Sequence, residues 1–67
     1  MTAELFGRFV RARRTQQGLD MRQAAMACGV ATDTLNKIEL GKEVYLGSAL
    51  KVAQALGIRL RVEAWDE

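Results

Sequence analysis

The side chains best suited to chemistry in this sequence are arginines that cluster near its start. Residues 8–14 contain four of them, whereas three of the eight acidic residues stand in the last five positions. The four are Arg8, Arg11, Arg13 and Arg14. The net charge is only +2, which also fits an ordinary solvated surface. Basic residues that cluster on one side nevertheless form an electrostatic footprint for phosphate, even when their total is small.

This chain contains few residues that could catalyse a reaction or bind a metal. It contains no histidine and a single cysteine, Cys28. No acid–base or nucleophile set can be assembled from these, so we expect neither an enzyme nor a bound metal or cofactor. A lone cysteine also excludes an intrachain disulfide and suits a reducing cytoplasm. We expect Cys28 to be a small, buried hydrophobic residue.

A length of 67 residues predicts one small domain. A core of this size contributes only about 3–5 kcal/mol, so a metal, a disulfide or oligomerisation is expected to supplement it. With the first two excluded, oligomerisation remains. No apolar run reaches the length of a membrane span, and no secretory signal pattern is visible at the start. We therefore expect a cytoplasmic protein with no membrane partner.

Apolar residues at three-to-four spacing predict four helices. They are expected at residues 2–17, from Asp20 to about Cys28, at residues 32–40, and from Gly47 or Ser48 to Leu56. Thr2 is an expected N-cap, and Asp20 is expected to form a capping box with Gln23. The residues predicted to face the core are Leu5, Phe6, Phe9, Val10, Cys28, Leu35, Ile38, Leu50, Val52, Ala53 and Leu56. Ala24, Ala25 and Ala27 are small and are expected to let two helices cross closely. Gly7 lies inside the first helix, where close approach of another helix would explain it.

The period changes after Gly57. Ile58, Leu60, Val62 and Ala64 alternate with Arg59, Arg61, Glu63 and Trp65. A repeat of two residues predicts a strand, whose backbone groups need a partner strand. Because no second strand is predicted, the simplest partner is the same segment of another copy, in an antiparallel ribbon. The alternative is a frayed tail.

Residues 18–42 follow the helix-turn-helix plan, with two short helices separated by Gly29 and Val30. This segment resembles the Cro/lambda-repressor-like (XRE) family of regulators. It matches that family at Gly18, Leu19, Ala25, Gly29, Val30, Ile38, Glu39, Gly41 and Lys42. The resemblance extends to Phe6, Gly7, Val10, Arg11 and Arg14 in the first helix and to residues 50–57 in the fourth.

The resemblance implies an all-α fold in which residues 1–57 form a four-helix, lambda-repressor-like DNA-binding domain. Residues 58–67 would be a C-terminal dimerisation strand and tail, and the strand would form a two-stranded ribbon between the subunits of a dimer. HipB-type antitoxins, which end their helical domain with such a strand, are the subgroup that this chain resembles most closely.

The same resemblance implies an autoregulatory repressor that binds a palindromic operator in double-stranded DNA as a homodimer. Two reading helices about 34 Å apart would cover half-sites on one face of the duplex. The chain would be the antitoxin of a toxin partner, or a phage or mobile-element regulator such as those beside anti-CRISPR genes. The alternative from another class is a protein-interaction module whose helix-turn-helix no longer binds DNA, which Asp20, Met21 and Asp33 would support.

By the resemblance, the third helix reads DNA bases with Thr32, Asp33, Asn36 and Lys37. Lys37 can donate to guanine O6 and N7, Asn36 can pair with adenine N6 and N7, and Asp33 can accept from cytosine N4. The alternative is that these residues are only the solvated face of an amphipathic helix. Asp33 also suits the positive end of the helix dipole, and there it would repel phosphate.

The resemblance likewise assigns phosphate contacts to Arg14, Arg22, Gln23, Thr34 and Lys42. Many relatives carry glutamine at the position of Met21, so the usual contact at the start of helix two is lost and Arg22 or Gln23 would substitute for it. Ala31 replaces the usual serine or threonine cap of helix three, which costs about 1 kcal/mol unless Thr32 shifts the cap by one residue.

Arg14 and Glu39 stand where some family members pair an arginine on helix one with a glutamate on helix three. Such a charge-assisted pair would orient the reading helix and aim the guanidinium toward a phosphate. The alternative is two separately solvated charges.

Overall fold

The computed structural model describes residues 1–60, and in this part the chain forms four α-helices and no strand. They are α1 (Ala3–Gln16), α2 (Met21–Cys28), α3 (Thr32–Glu39) and α4 (Leu46–Leu56). The four predicted helices are thereby confirmed. The fourth begins earlier than expected, with Tyr45 as its N-cap. None of the helices in residues 1–60 combines the length and the apolar character needed to cross a membrane.

Side-chain caps explain where the first two helices begin. The Thr2 hydroxyl accepts a hydrogen bond from the Leu5 N–H at 3.1 Å. Asp20 accepts from the Gln23 N–H at 2.7 Å, and the Gln23 side chain accepts from the Asp20 N–H at 2.9 Å. This reciprocal arrangement is the predicted capping box, which satisfies two backbone donors that the helix cannot. Both predicted N-caps are confirmed.

The turn between α2 and α3 depends on a glycine. Gly29 adopts a left-handed conformation with φ of 73°, which a residue with a side chain adopts only at a cost. The following backbone is extended at Ala31, which is the N-cap of α3. The suggested shift of that cap to Thr32 is wrong, because Thr32 is already the first residue of the helix. The methyl group of Ala31 cannot accept a hydrogen bond, so α3 starts without a side-chain cap.

Within residues 1–60 the core is one apolar cluster to which every helix contributes. Its members are Phe6, Val10, Ala24, Ala25, Cys28, Leu35, Ile38, Val52, Ala53 and Leu56. Leu35 is fully buried, and Ile38 is nearly so. Because both lie on α3, that short helix is held to the body of the protein along one face only.

Gly7 is buried where α1 crosses the end of α3. A Cβ atom at this position would overlap the backbone carbonyl oxygen of Ile38 and lie 3.0 Å from that of Glu39. The expected reason for a glycine inside α1, close approach of another helix, is therefore confirmed. The contact fixes the distance between α1 and the C-terminal end of α3.

Three residues that were predicted to face the core do not. Leu5, Phe9 and Leu50 are each more than 40% exposed. Helical periodicity predicts a broad apolar stripe on each helix, but the short neighbouring helices bury only a narrow part of that stripe. On α1 the buried positions are Phe6, Gly7 and Val10. The prediction was wrong because neighbouring helices, and not apolar character, decide which flank is covered.

The predicted C-terminal strand falls mostly outside the described residues. Ile58, Arg59 and Leu60 have neither helical nor strand conformation, and Ile58 and Leu60 pack half-buried against the core. Arg61, Val62, Glu63, Ala64 and Trp65 lie beyond the described part of the chain. The predicted boundary at residue 57 therefore separates the last helix from a segment that still contributes apolar contacts to the domain.

Candidate nucleic-acid-binding surface

The surface of α3 that faces away from the core carries the polar side chains singled out in the sequence. Asp33, Asn36 and Lys37 are exposed at a spacing of three and four residues, so they share one face of the helix. Thr32 is also exposed, whereas Thr34 is half-buried at the side. The opposite face is buried through Leu35 and Ile38. An amphipathic helix of this kind presents a row of hydrogen-bonding groups on a firmly held support.

Asp33 and Lys37 form an ion pair on this face. The Lys37 Nζ lies 3.4 Å from the Asp33 Oδ2, and the two side chains are 49% and 77% exposed. An exposed pair in water contributes little to stability, because solvent screens the charges. Each of the two side chains can therefore leave the other and bind a group outside the protein at little cost in free energy.

A second ion pair, between Arg14 and Glu39, ties α3 to α1. The Arg14 Nε donates to Glu39 Oε2 at 2.6 Å, and Nη2 donates to Oε1 at 3.0 Å. The remaining nitrogen, Nη1, donates to the carbonyl oxygen of Leu19 at 3.0 Å. The side chains are only 14% and 6% exposed. The hydrogen bonds to Glu39 raise the pKa of Arg14 above its usual value, with burial opposing that shift.

This pair makes Arg14 a positioning residue. Its contacts join α1, α3 and the segment that precedes α2, which are the elements that aim the exposed face of α3. Three of the five guanidinium N–H groups already have protein acceptors. A phosphate would have to be bound by the remaining two, from a side chain with little exposed surface. The structure therefore favours the orienting role of Arg14 over the phosphate contact.

The other arginines of the N-terminal cluster are exposed, and one of them contacts another helix. Arg13 Nη2 donates to the carbonyl oxygen of Gly57 at 3.1 Å, so it caps the C-terminal end of α4. Arg8 and Arg11 are exposed on α1. The four arginines thus differ in their protein partners, because Arg14 contacts α3, Arg13 contacts the end of α4, and Arg8, Arg11 and Arg13 are exposed.

The remaining residues assigned to phosphate binding lie on the two helices of the turn or next to them. Arg22 and Gln23 are exposed in the first turn of α2, and Lys42 is exposed just after α3. The Gln23 side-chain oxygen is engaged in the capping box, which leaves its NH₂ group free to donate. Met21 is half-buried and packs against the core, so it provides apolar contact instead of the polar group found in relatives.

The structure adds to the candidate surface two exposed residues that the sequence analysis did not single out. Leu40 is 59% exposed at the end of α3, and Tyr45 is 87% exposed at the start of α4. Tyr45 borders an open groove beside α3. That groove is lined by Thr34, Lys37, Glu43, Val44, Tyr45 and Ser48. The sequence contained a signal for Tyr45, since the chain's one tyrosine stands between two helices and outside either apolar stripe.

Cys28 is unsuited to reactive chemistry. It is 5% exposed within the core, and burial raises the pKa of its thiol. A thiol with a raised pKa holds less of the nucleophilic thiolate form at neutral pH. Its contribution is packing, between the small residues of α2 and the rest of the core.

Comparison with known proteins agrees with this geometry. A family model described as helix-turn-helix matches residues 10–62. The match includes all of α2, α3 and α4 and the second half of α1. No curated protein shows a significant match to the chain.

Proposed function

Because this chain belongs to the helix-turn-helix family and is a DNA-binding transcription regulator, we propose that it is a sequence-specific repressor acting as a homodimer on a palindromic operator. The observation that carries the proposal is the exposed polar face of α3, which is anchored from behind by Leu35 and Ile38 and braced by the Arg14–Glu39 pair. A helix held in this way can enter a major groove without changing its angle to the domain. We expect such a regulator to act in the cytoplasm, in contact with DNA.

In this proposal, the position of each site residue on or beside α3 determines whether it contacts a base or a phosphate. Asn36 and Lys37 read purine edges, with Thr32 and Asp33 at the N-terminal end of α3. Phosphates are contacted from both sides of that helix. The residues proposed for these contacts are Arg22, Gln23, Thr34 and Lys42. Base contacts set the sequence preference, whereas phosphate contacts set the affinity and the register.

Exposed apolar side chains support the homodimer. Met1 and Leu46 are both 72% exposed, and Phe9 is 46% exposed. Met1 and Leu46 border a groove with Leu60, and Met1 and Phe9 border a second groove with Ile58. The apolar surface therefore surrounds Ile58 and Leu60, the last apolar residues that the structure describes. We propose that a second copy covers it, with residues 58–65 of the two chains pairing as an antiparallel ribbon.

One observation weakens the rival view that this helix-turn-helix has lost DNA binding. Asp20 caps α2 with full reciprocal geometry. Its presence is therefore no sign of degeneration. For the biological role of the repressor we propose two alternatives. It is either an antitoxin of the HipB type with a toxin partner, or a phage or mobile-element regulator. A toxin gene beside this gene would distinguish them.

Autoregulation is tested by a gel-shift experiment with the DNA upstream of the chain's own gene. We expect the full-length protein to shift this duplex, and to shift a promoter fragment from an unrelated gene only at much higher concentration. Equal shifts of the two fragments would exclude autoregulation through this site.

Alanine substitutions in α3 should reduce specific binding. We expect Asn36→Ala and Lys37→Ala to cost about 1–3 kcal/mol each and to relax the preference at one base pair. Lys42→Ala should instead weaken binding to all sequences alike and lower the salt slope by about one. Equilibrium titrations of an operator duplex measure these effects, with Gln54→Ala on the exposed side of α4 as a control. Unchanged operator affinity in both α3 variants would show that another surface reads the DNA.

Removal of residues 61–67 should disrupt the dimer. Truncation after Leu60 is preferable to truncation after Gly57, since it retains the packing of Ile58 and Leu60 against the core. We expect the shortened chain to sediment as a folded monomer and to bind a palindromic duplex far more weakly than the intact protein. A full-length chain that sediments as a monomer at micromolar concentration would contradict the homodimer.

A further inference from the structure

We propose that Asp33 and Lys37 act as one recognition unit that reads a single G·C base pair in the major groove. The inference rests on the proposed function, and it goes further by assigning part of the operator sequence. Its basis is the ion pair that the two side chains form on the exposed face of α3. Sequence reasoning assigned each residue its own base, whereas the structure places the two charged groups side by side.

The spacing of the two groups matches the edge of a base pair. Lys37 Nζ and Asp33 Oδ2 lie 3.4 Å apart. In a G·C pair the guanine O6 acceptor and the cytosine N4 donor are hydrogen-bonded to each other, at about 2.9 Å. A cation that faces O6 and a carboxylate that faces N4 can therefore bind at the same time with little change in their separation. On binding, each side chain gains the complementary group on the base pair while the two side chains stay side by side on α3.

The order of groups across the groove separates G·C from A·T. A G·C pair presents N7 and O6 as two adjacent acceptors, followed by the N4 donor. The Lys37 ammonium can thus contact both acceptors while the Asp33 carboxylate faces the donor. An A·T pair presents its N6 donor between two acceptors, N7 and O4, with the thymine methyl group beyond. A carboxylate placed at N6 would lie beside the thymine O4 acceptor, whose partial negative charge repels it.

The charge of α3 supports a role in discrimination. Each charged residue of α3 has an ion-pair partner: Lys37 pairs with Asp33, and Glu39 pairs with Arg14 of α1. The helix therefore brings no net positive charge of its own toward the phosphates. General attraction to DNA must come from outside α3, from residues such as Arg22 and Lys42. A reading helix without net positive charge gains little from an incorrect sequence, because it binds through matching donors and acceptors.

Selection of bound duplexes from a random-sequence library tests this proposal with the full-length chain. We expect a fixed G·C pair in each half-site, and replacing it with A·T should lower affinity roughly 5- to 150-fold. Asp33→Ala and Lys37→Ala should each lose most of this discrimination. Glu43→Ala is the matched control, because it removes an exposed carboxylate beside α3 that is outside the pair. That variant should retain the full preference for G·C.

A charge-exchanged variant provides the sharpest comparison. Asp33→Lys combined with Lys37→Asp keeps an ion pair on the same face and reverses the order of donor and acceptor. Selection with this variant should recover C·G in place of G·C at the same position. Retained G·C discrimination in Asp33→Ala, or a wild-type site with no fixed G·C pair, would overturn the proposal and leave DNA binding intact. Failure of the wild-type chain to enrich any duplex at low salt would overturn both this proposal and the proposed function.

Discussion

Replacement of Arg14 with alanine should destabilise the domain by about 2–4 kcal/mol, near the lower end of the cost of breaking a buried ion pair. The substitution leaves the Glu39 carboxylate, which is 6% exposed, without its bidentate partner and frees the carbonyl oxygen of Leu19. A domain of this size has a total stability of only about 3–5 kcal/mol. Much of the population should therefore be unfolded at room temperature. Urea unfolding followed by circular dichroism measures the loss.

A double substitution separates stability from orientation. Arg14→Met combined with Glu39→Leu removes both charges, so no unpaired charge remains in the partly buried site. We expect this variant to recover most of the lost free energy of unfolding. It should still bind operator DNA more weakly than the wild type, because the brace between α1 and α3 is gone. A single Arg14→Ala variant as stable as the wild type would show that the pair has no structural importance.

Gly7→Ala should destabilise the domain by about 1–3 kcal/mol through overpacking, although alanine is the better helix former. The added methyl group would overlap the backbone carbonyl oxygen of Ile38, and a backbone atom cannot move aside as a flexible side chain does. The two helices must separate, and α3 shifts with respect to α1. We therefore expect DNA affinity to fall even at temperatures where the variant is fully folded.

Gly47→Ala is the matched control for Gly7→Ala. A Cβ atom at Gly47 meets no described atom within 4 Å, and this glycine does not have a positive φ. It lies near the start of α4, where alanine should keep or raise the melting temperature. Thermal unfolding of the two variants checks the prediction. An equal rise in melting temperature in both would contradict the close contact between α1 and α3.

The sequence was sufficient to place the helices because their ends carry local signals. Thr2, Asp20 and Gly29 each act through atoms within a few residues of themselves, so their effects can be predicted without knowledge of the fold. The inward face of α3 was equally clear, since Leu35 and Ile38 are the apolar residues of an otherwise polar segment. These features depend on residues close together in the sequence, and sequence patterns predict such local structure well.

What the sequence left open depends on contacts between elements. Phe9 and Leu50 belong to apolar stripes, and only the placement of neighbouring helices shows that these stripes are partly exposed. The arginines of α1 looked equivalent until the structure placed Arg13 at the end of α4 and Arg14 against Glu39. The spacing of four residues between Asp33 and Lys37 also permits an ion pair on one helix face, but it does not distinguish this pairing from separate contacts with DNA.

The central claim, that the exposed face of α3 reads a DNA sequence, is tested most directly by measuring specificity and its dependence on salt. Fluorescence anisotropy would compare full-length protein binding to a duplex enriched by selection and to a shuffled duplex of the same composition. We predict that the enriched duplex binds at least about a thousandfold more tightly. Binding to both should weaken between about 50 and 200 mM salt, as phosphate contacts require. Equal affinity for the two duplexes, or binding to neither, would contradict the claim.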